Sequence, residues 1–314
     1  MATKTVKLAF RGPVHFGQGR LSDSGYACDA ATLFSALFIE ALHEGVQDEL
    51  LEAARCGEFA LSDAFPYIGD TLYLPKPMVA PGLFDARNQE RESLEGRQDS
   101  RERKANKKLA YVPAQRYADY LTGEFDSLSE LGHFDLGEAS LQTKVNLTRS
   151  DSDDARPYFV GGYSFAPGAG LYFLVKGGFD VLPLLEQLGY AGIGGKRTSG
   201  YGQFEYQVEN KDPLAQVTSQ VKSTGSFVLL ATSAPRSSEL NDELLEGARY
   251  RLVRKGGFVQ SASHSKTPQK KRDLFLFAAG STFSHRFEGD VFDVNATAGS
   301  HPVYRYAKAL WMEV

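Results

Sequence analysis

Residues 192–204 read GIGGKRTSGYGQF, with five glycines, adjacent cations Lys196 and Arg197, adjacent hydroxyls Thr198 and Ser199, and a ring able to stack, Tyr201. Glycines at this density admit positive φ and bring backbone N–H groups close to a ligand, while the Lys, Arg, Thr and Ser side chains add charge and donors for phosphate oxygens. The chemistry this predicts is recognition of an anionic backbone, with Gly194 and Gly195 at positive φ. A second stretch, residues 249–272, carries eight cations and no Asp or Glu, in a chain of formal net charge −4. Within it Arg249, Arg251, Lys255, Lys270, Lys271 and Arg272 are expected to meet phosphates. Tyr250 and Phe258 are interleaved, as stacking on unpaired bases requires.

The flanks of the glycine stretch decide what kind of loop it is. Before it, residues 181–190 (VLPLLEQLGY) have helical spacing with Pro183 in the first turn; after it, Phe204, Tyr206 and Val208 alternate with polar residues as in a strand. A helix-to-strand glycine loop is the reverse of a P-loop or dinucleotide turn, both of which run from strand into helix. The letters disagree as well, since Arg197 stands where a P-loop places Ser or Thr after its Gly-Lys. An ATP or NAD site is therefore not expected here. The six histidines (His15, His43, His133, His264, His285, His301) show no metal-ligand spacing, and Cys28 and Cys56 form neither a CxxC nor a disulfide framework. Asp29 reads as a helix cap and Asp23 lies in a turn, so no converging carboxylates announce a metal site. No cofactor or metal is expected.

Composition sets the outer limits. The chain has 314 residues, 42% hydrophobic and 24% charged, enough for about two domains with substantial cores. A pI of about 5.9 argues against indiscriminate coating of nucleic acid and implies a basic binding face beside an acidic remainder. No window approaches a membrane span and residues 1–10 lack a leader pattern, so a cytoplasmic protein is expected. Residues 3–11 alternate as a first strand ending at Arg11. Leu33, Phe34, Leu37, Phe38 and Ala41 make the apolar stripe of a helix capped by Asp29 and ending before Gly45. Residues 81–108 are polar and charged, and are expected to be a mobile insertion. Residues 141–147 and 157–165 are expected to form a hairpin around a polar tip. Beyond residue 226 come an apolar strand, a short helix at 238–246, a hairpin turning at Gly256-Gly257, and the strand LFLFAA.

At this point the sequence resembles a known family, the RAMP proteins of CRISPR systems, whose common mark is a glycine-rich loop between the last helix and last strand of a ferredoxin-like domain. Residues 10–24 (FRGPVHFGQGRLSDS) leading into 29–42, the LPKP at 74–77 and the tail HPVYRYAKALW at 301–311 narrow the resemblance to the fourth subunit of type III-A Csm effector complexes. The resemblance implies a scaffold that caps the 5′ tag of the guide CRISPR RNA. It implies docking to the large Palm-domain subunit and to a backbone RAMP subunit, and a thumb-like hairpin at about residues 142–158 that contacts target RNA. It also places Arg11 and His15 beside the RNA path. The fold class expected is α+β, with two tandem ferredoxin-like (RRM-like) domains, the second degenerate: residues 1–211, a linker at 212–225, and residues 226–314. The chain is expected not to be an enzyme. The alternatives are a RAMP endoribonuclease using His15 or His43 as general base, and a polysaccharide- or nucleotide-binding enzyme on another α+β fold.

Overall fold

A computed structural model gives the fold; the structure describes residues 3–79, 98–146, 156–209, 211–221, 225–259, 261, 264, 267–296 and 299–314. The chain opens with β1 (Thr3–Phe10), whose alternation buries Val6 and Leu8. Asp29 then accepts the Thr32 N–H at 2.8 Å and starts α1 (Ala30–Glu44), which buries Leu33, Phe34, Leu37 and Ala41 and stops at Gly45 with φ 75°. Next come α2 (Gln47–Cys56), β2 (Phe59–Leu61), β3 (Phe65–Ile68) and β4 (Thr71–Pro75).

Residues 98–108, expected in a mobile insertion, form a helix, α3 (Gln98–Lys108). Two small anchors four apart hold it: Ala105 and Leu109 are buried, and the Asn106 amide donates to Tyr120 and Ser127 hydroxyls at 3.4 and 3.3 Å. The rest of that expected insertion lies outside the described residues. After β5 (Tyr111–Pro113), the expected hairpin appears as β6 (Gly137–Asn146) and β7 (Arg156–Phe165), paired in register from Gly137 opposite Phe165 to Asn146 opposite Arg156. Its tip, 147–155, lies outside the described residues. The continuous apolar run at 169–175 gives β8 (Ala169–Gly177), buried on both faces. The predicted α4 (Leu182–Ala191) and β9 (Phe204–Glu209) follow, flanking the glycine loop.

These strands form a seven-stranded sheet, mixed with helices in an α+β arrangement, in the order β9-β1-β8-β3-β4-β5, with β2 also on β8. β1 is antiparallel to both neighbours, Val6 lying between Phe173 and Val208. The connectivity puts α1 and α4 on the strand-to-strand crossings and carries both ends of the glycine loop to one end of the sheet.

The segment expected as a linker contains α5 (Pro213–Thr218), capped by Asp212 and held by buried Val217. The remainder comprises β10 (Phe227–Leu229), α6 (Asp242–Leu245), β11 (Leu252–Lys255), β12 (Leu274–Phe277), β13 (Thr282–Phe283), β14 (Val291–Asp293), β15 (Tyr304–Tyr306) and β16 (Trp311–Glu313). They pair as β13-β10-β16, β11-β12 and β14-β15. No tight hairpin turns at Gly256-Gly257: β11 pairs with β12, Lys255 opposite Leu274, and Phe258 still lies opposite Lys270 beyond the glycines.

The two parts share a core. Val228, Leu230, Tyr306 and Met312 belong to the same apolar cluster as Leu33, Phe34 and Leu174. Tyr306 stacks on Phe34 with centroids 4.9 Å apart, and its hydroxyl accepts the Leu61 N–H at 2.9 Å. The Asp63 carboxylate accepts from the N–H groups of Ala30 and Thr232 at 2.9 and 2.8 Å. Where these parts meet, they leave a cleft.

Candidate nucleic-acid interface

The glycine loop is shaped by its contact with the loop after β1. Ile193, buried, anchors it, with its N–H on Gly202 O at 2.9 Å. Gly202 N–H donates to Pro13 O at 2.9 Å and Gly195 N–H to His15 O at 2.8 Å, so the two loops lie against each other. Gly194 has φ 91°, and a Cβ there would stand 2.8 Å from His15 O. That close approach is what its missing side chain permits. Gly195, expected at positive φ, is not; Lys196 takes the left-handed conformation instead, at φ 59°, alone among the described non-glycine residues. The Gly195 N–H, committed to His15 O, is likewise not offered to a ligand.

The cleft of about 990 Å³ is lined by this loop, the start of α1, the LPKP segment, the end of α3, β11 and β15. Of the expected residues it gathers His15, Gly194, Gly195, Arg197, Arg251, Lys255 and Lys271. Period-two alternation explains the choice on β11: Arg251, Val253 and Lys255 line the cleft while Leu252 and Arg254 point away. Four cations absent from the expectation join them: Lys76 of LPKP, Lys107 and Lys108 of α3, and Arg305 of β15. In all, eight cations and two carboxylates, Asp29 and Asp63, line the cleft. The facing wall, from α1, presents Ala31, Thr32, Ser35, Ala36 and Ile39 and carries no charge.

Lys255 is not free for an external phosphate. Its ammonium sits 2.5 Å from Asp29 Oδ2, joining the ribbon to the cap of α1. Burial pushes the Asp29 carboxyl up, but the Lys255 charge and the hydrogen bonds from Lys255 and Thr32 outweigh it and hold the carboxyl below its usual range. Asp63, enclosed and beside the Asp29 charge, is pushed up to about 6 despite its hydrogen bonds from Thr232 and Ala30.

The remaining expected contacts lie outside the cleft. Tyr201 is only 3% exposed, its hydroxyl donating to Gln142 Oε1 at 2.8 Å and the Lys144 ammonium 5.2 Å from its ring center, so it packs the hairpin and offers no face to a base. Lys196 lies over the Tyr158 ring of the same hairpin at 5.5 Å. Thr198 and Ser199 are exposed in a short turn beyond the cleft rim. Arg11 pairs with Glu205 at 3.1 Å, Lys270 approaches Asp273 at 3.8 Å, and Arg272 donates to Asp293 O at 2.8 Å. Arg249 is exposed on the approach to β11.

His15 is buried at the cleft wall, its Nδ1–H donating to Gly161 O at 2.7 Å, which fixes the tautomer. His43 sits outside the cleft at the end of α1, 3.3 Å from Glu40. The two candidate bases therefore do not face one substrate. Among the described residues, no group of three or more His, Cys, Asp or Glu is placed to hold a metal ion, and no helix is long and apolar enough to cross a membrane.

Comparison with known proteins places this arrangement. The chain is 38% identical over 308 residues to the CRISPR system Cms protein Csm4 of Mycobacterium tuberculosis (strain CDC 1551 / Oshkosh), covering 95% of this chain and 93% of the relative. It belongs to the Csm4 family. The Csm4 protein of Streptococcus thermophilus is 33% identical over 315 residues, covering 100% of this chain and 99% of the relative. Residues 222–314 match the family described as the CRISPR Csm4 C-terminal domain, which therefore contains Arg251, Lys255, Lys271 and Arg305 of the cleft. The fold is similar to that in a Csm3-Csm4 subcomplex of the type III-A CRISPR-Cas interference complex, with TM-score 0.62, 16% identity and 99% of each chain covered. It is also similar to that in a Csm1-Csm4 cassette in complex with AMPPNP, with TM-score 0.62, 20% identity, and 100% and 98% of the two chains covered.

Proposed function

We propose that this Csm4-family chain is a non-catalytic scaffold that caps the 5′ tag of the guide CRISPR RNA in a type III-A effector complex serving antiviral defence in the cytoplasm. The observation that carries the reading is the cleft itself: eight cations against two carboxylates, drawn from both ends of a chain whose net charge is −4. A surplus of that size on one concave surface, opposite an uncharged wall, suits a single strand with its phosphates on one side and its bases on the other. The large Palm-domain subunit and a backbone RAMP subunit are the protein partners proposed, in keeping with the Csm1 and Csm3 named in the similar structures. The β6–β7 hairpin, with Leu141, Val145 and Phe159 exposed, supports the thumb-like contact with target RNA. Within the first part β1, α1, β3, β8, α4 and β9 follow one another in β-α-β-β-α-β order with the other elements inserted between them, and the sheet order β9-β1-β8-β3 sets the last of these strands beside the first, which supports the ferredoxin-like reading there. A degenerate second copy is proposed on the β13-β10-β16 order.

The test is binding of labelled tag-bearing single-stranded RNA by the full chain across a salt series. Arg197→Ala with Arg251→Ala, one from each side of the cleft, should flatten the log–log salt slope by about 1.4, at about 0.7 per phosphate contact of a single strand. An unchanged slope would remove RNA from the cleft, and site-specific, metal-free cutting of the RNA would favour the endoribonuclease.

A further inference from the structure

The cations of the cleft are not equivalent. Lys255 is neutralised by Asp29, whereas Lys271 and Arg305 have no ion-pair partner among the described residues. Both lie against the glycines after β11: the Lys271 backbone N–H donates to Gly257 O at 2.8 Å, and Arg305 Nη2 donates to Gly256 O at 3.0 Å. Gly257 stands there at φ 118°, a backbone conformation that glycine adopts without the strain a side chain would bring. Arg305 Nε is buried and has no hydrogen-bond acceptor among the described residues. The two residues are near enough to act on each other. Burial, then the charge of Arg305, holds the Lys271 ammonium below its usual range, while burial lowers Arg305 against the pull of Asp29 and Asp273.

Two half-desolvated like charges are unfavourable together, and here the fold holds both in the lining of the cleft, with Arg305 giving one N–H to Gly256 O. One anion with several oxygens relieves the repulsion: one oxygen takes an N–H from the end of the Arg305 guanidinium and another the Lys271 ammonium. A guanidinium and an ammonium converging on one group is how phosphate, a tetrahedral anion, is commonly held.

We propose that Lys271 and Arg305 form one seat for a single phosphate of the bound RNA, shared by both cations. This rests on the RNA reading of the cleft and goes beyond it, since it separates one discrete phosphate site from the lone contacts of Arg197 and Arg251. The seat carries no base contact, so it fixes register rather than sequence.

The experiment measures tag-bearing RNA binding by the full chain carrying Lys271→Gln, Arg305→Gln or both, over a salt series, with thermal melts as a check on folding. A shared phosphate predicts that the double variant flattens the slope by about 0.7, because only one phosphate is lost, and that neither single variant, which keeps one cation on it, flattens it by more. In the unaltered protein, replacing each linkage in turn by an uncharged methylphosphonate should reveal one linkage whose replacement weakens binding, and the double variant should be insensitive to that same replacement. A double variant flattened by about 1.4 would assign two phosphates and overturn the seat. No flattening, while Arg197→Ala with Arg251→Ala still flattens the slope, would overturn the seat and leave RNA in the cleft. No flattening by either pair would overturn both. If a variant fails to fold, the methylphosphonate series in the unaltered protein decides, since the absence of any single sensitive linkage contradicts the seat.

Discussion

Gly194→Ala tests why the loop needs glycine at that point. At φ 91° an alanine carries a backbone cost of about 1–2 kcal/mol. Its Cβ would also stand 2.8 Å from His15 O and 3.1 Å from the Phe16 ring, so the loop must withdraw. Withdrawal loosens the 2.8 Å bond from Gly195 N–H to His15 O, worth about 0.5–1.5 kcal/mol. The expected total is about 2.5 kcal/mol, or roughly 4 °C in melting temperature for a chain of this size. Gly200→Ala supplies the control, because Gly200 has φ 81° but nothing within 4 Å of its added Cβ. It should cost only the backbone part, about 1–2 kcal/mol. Thermal melts of both variants, followed by RNA binding, make the comparison. RNA affinity should fall with Gly194→Ala, which displaces Arg197, and hold with Gly200→Ala. Equal melting temperatures for the two variants would refute the close approach to His15 as the reason for the glycine.

Three further outcomes follow from the cleft's internal contacts. Asp63, at about 6 when folded against a reference of 3.8, binds its proton more tightly in the folded state; its contribution is complete below about pH 4 and is lost as pH rises through about 6, a change of about 3 kcal/mol. Asp63→Asn should remove that loss, so melts across pH 4–7 should show the variant gaining on the unaltered protein as pH rises, and a constant difference would contradict the raised carboxyl. Lys255→Met leaves Asp29 buried without its partner and should cost about 2–3 kcal/mol, moderated because Lys255 is 34% exposed, with an unchanged RNA salt slope; a flattened slope would return Lys255 to the phosphate contacts. Tyr201→Phe should cost about 1 kcal/mol by losing the bond to Gln142 and leave RNA affinity as it was; a large affinity loss would mean that the ring meets a base after all.

The parts of the site legible in the sequence were those carried by local composition. Five glycines with Arg197, and an acid-free run with Arg251 and Lys271, marked both sides of the cleft before any fold was known. Alternation within LVRK also contained the division between Lys255, facing in, and Arg254, facing out, although charge alone grouped them. What sequence could not show was pairing over long separations. Lys255 meets Asp29 across more than two hundred residues, and Arg305 reaches the cleft only because β15 packs over α1 through Tyr306 and Phe34. Lys107 and Lys108 fall in the stretch expected to be mobile because α3 has few apolar anchors, Ala105 among them, and takes its support from Asn106 and from the Ser127 N–H on Glu102. In the large sheet β1 and β9 followed from strand periodicity, whereas β3 and β5, of four and three residues, did not. Beyond it β10 and β12 were legible as apolar runs, but the strands that flank β10 were not, since β13 and β16, of two and three residues, leave too short a pattern to read.

The most direct test of RNA in the cleft is site-specific crosslinking. Tag-bearing RNA with one 4-thiouridine placed successively along the tag would be bound to the full chain, irradiated, and the attached peptides identified by mass spectrometry. The cleft predicts crosslinks on both of its sides, to peptides of the glycine loop at 192–204 and of the ribbon at 249–257, from neighbouring tag positions. Crosslinks confined to the outward face of the ribbon, around Leu252 and Phe275, or to the β6–β7 hairpin, with none in the glycine loop, would contradict it.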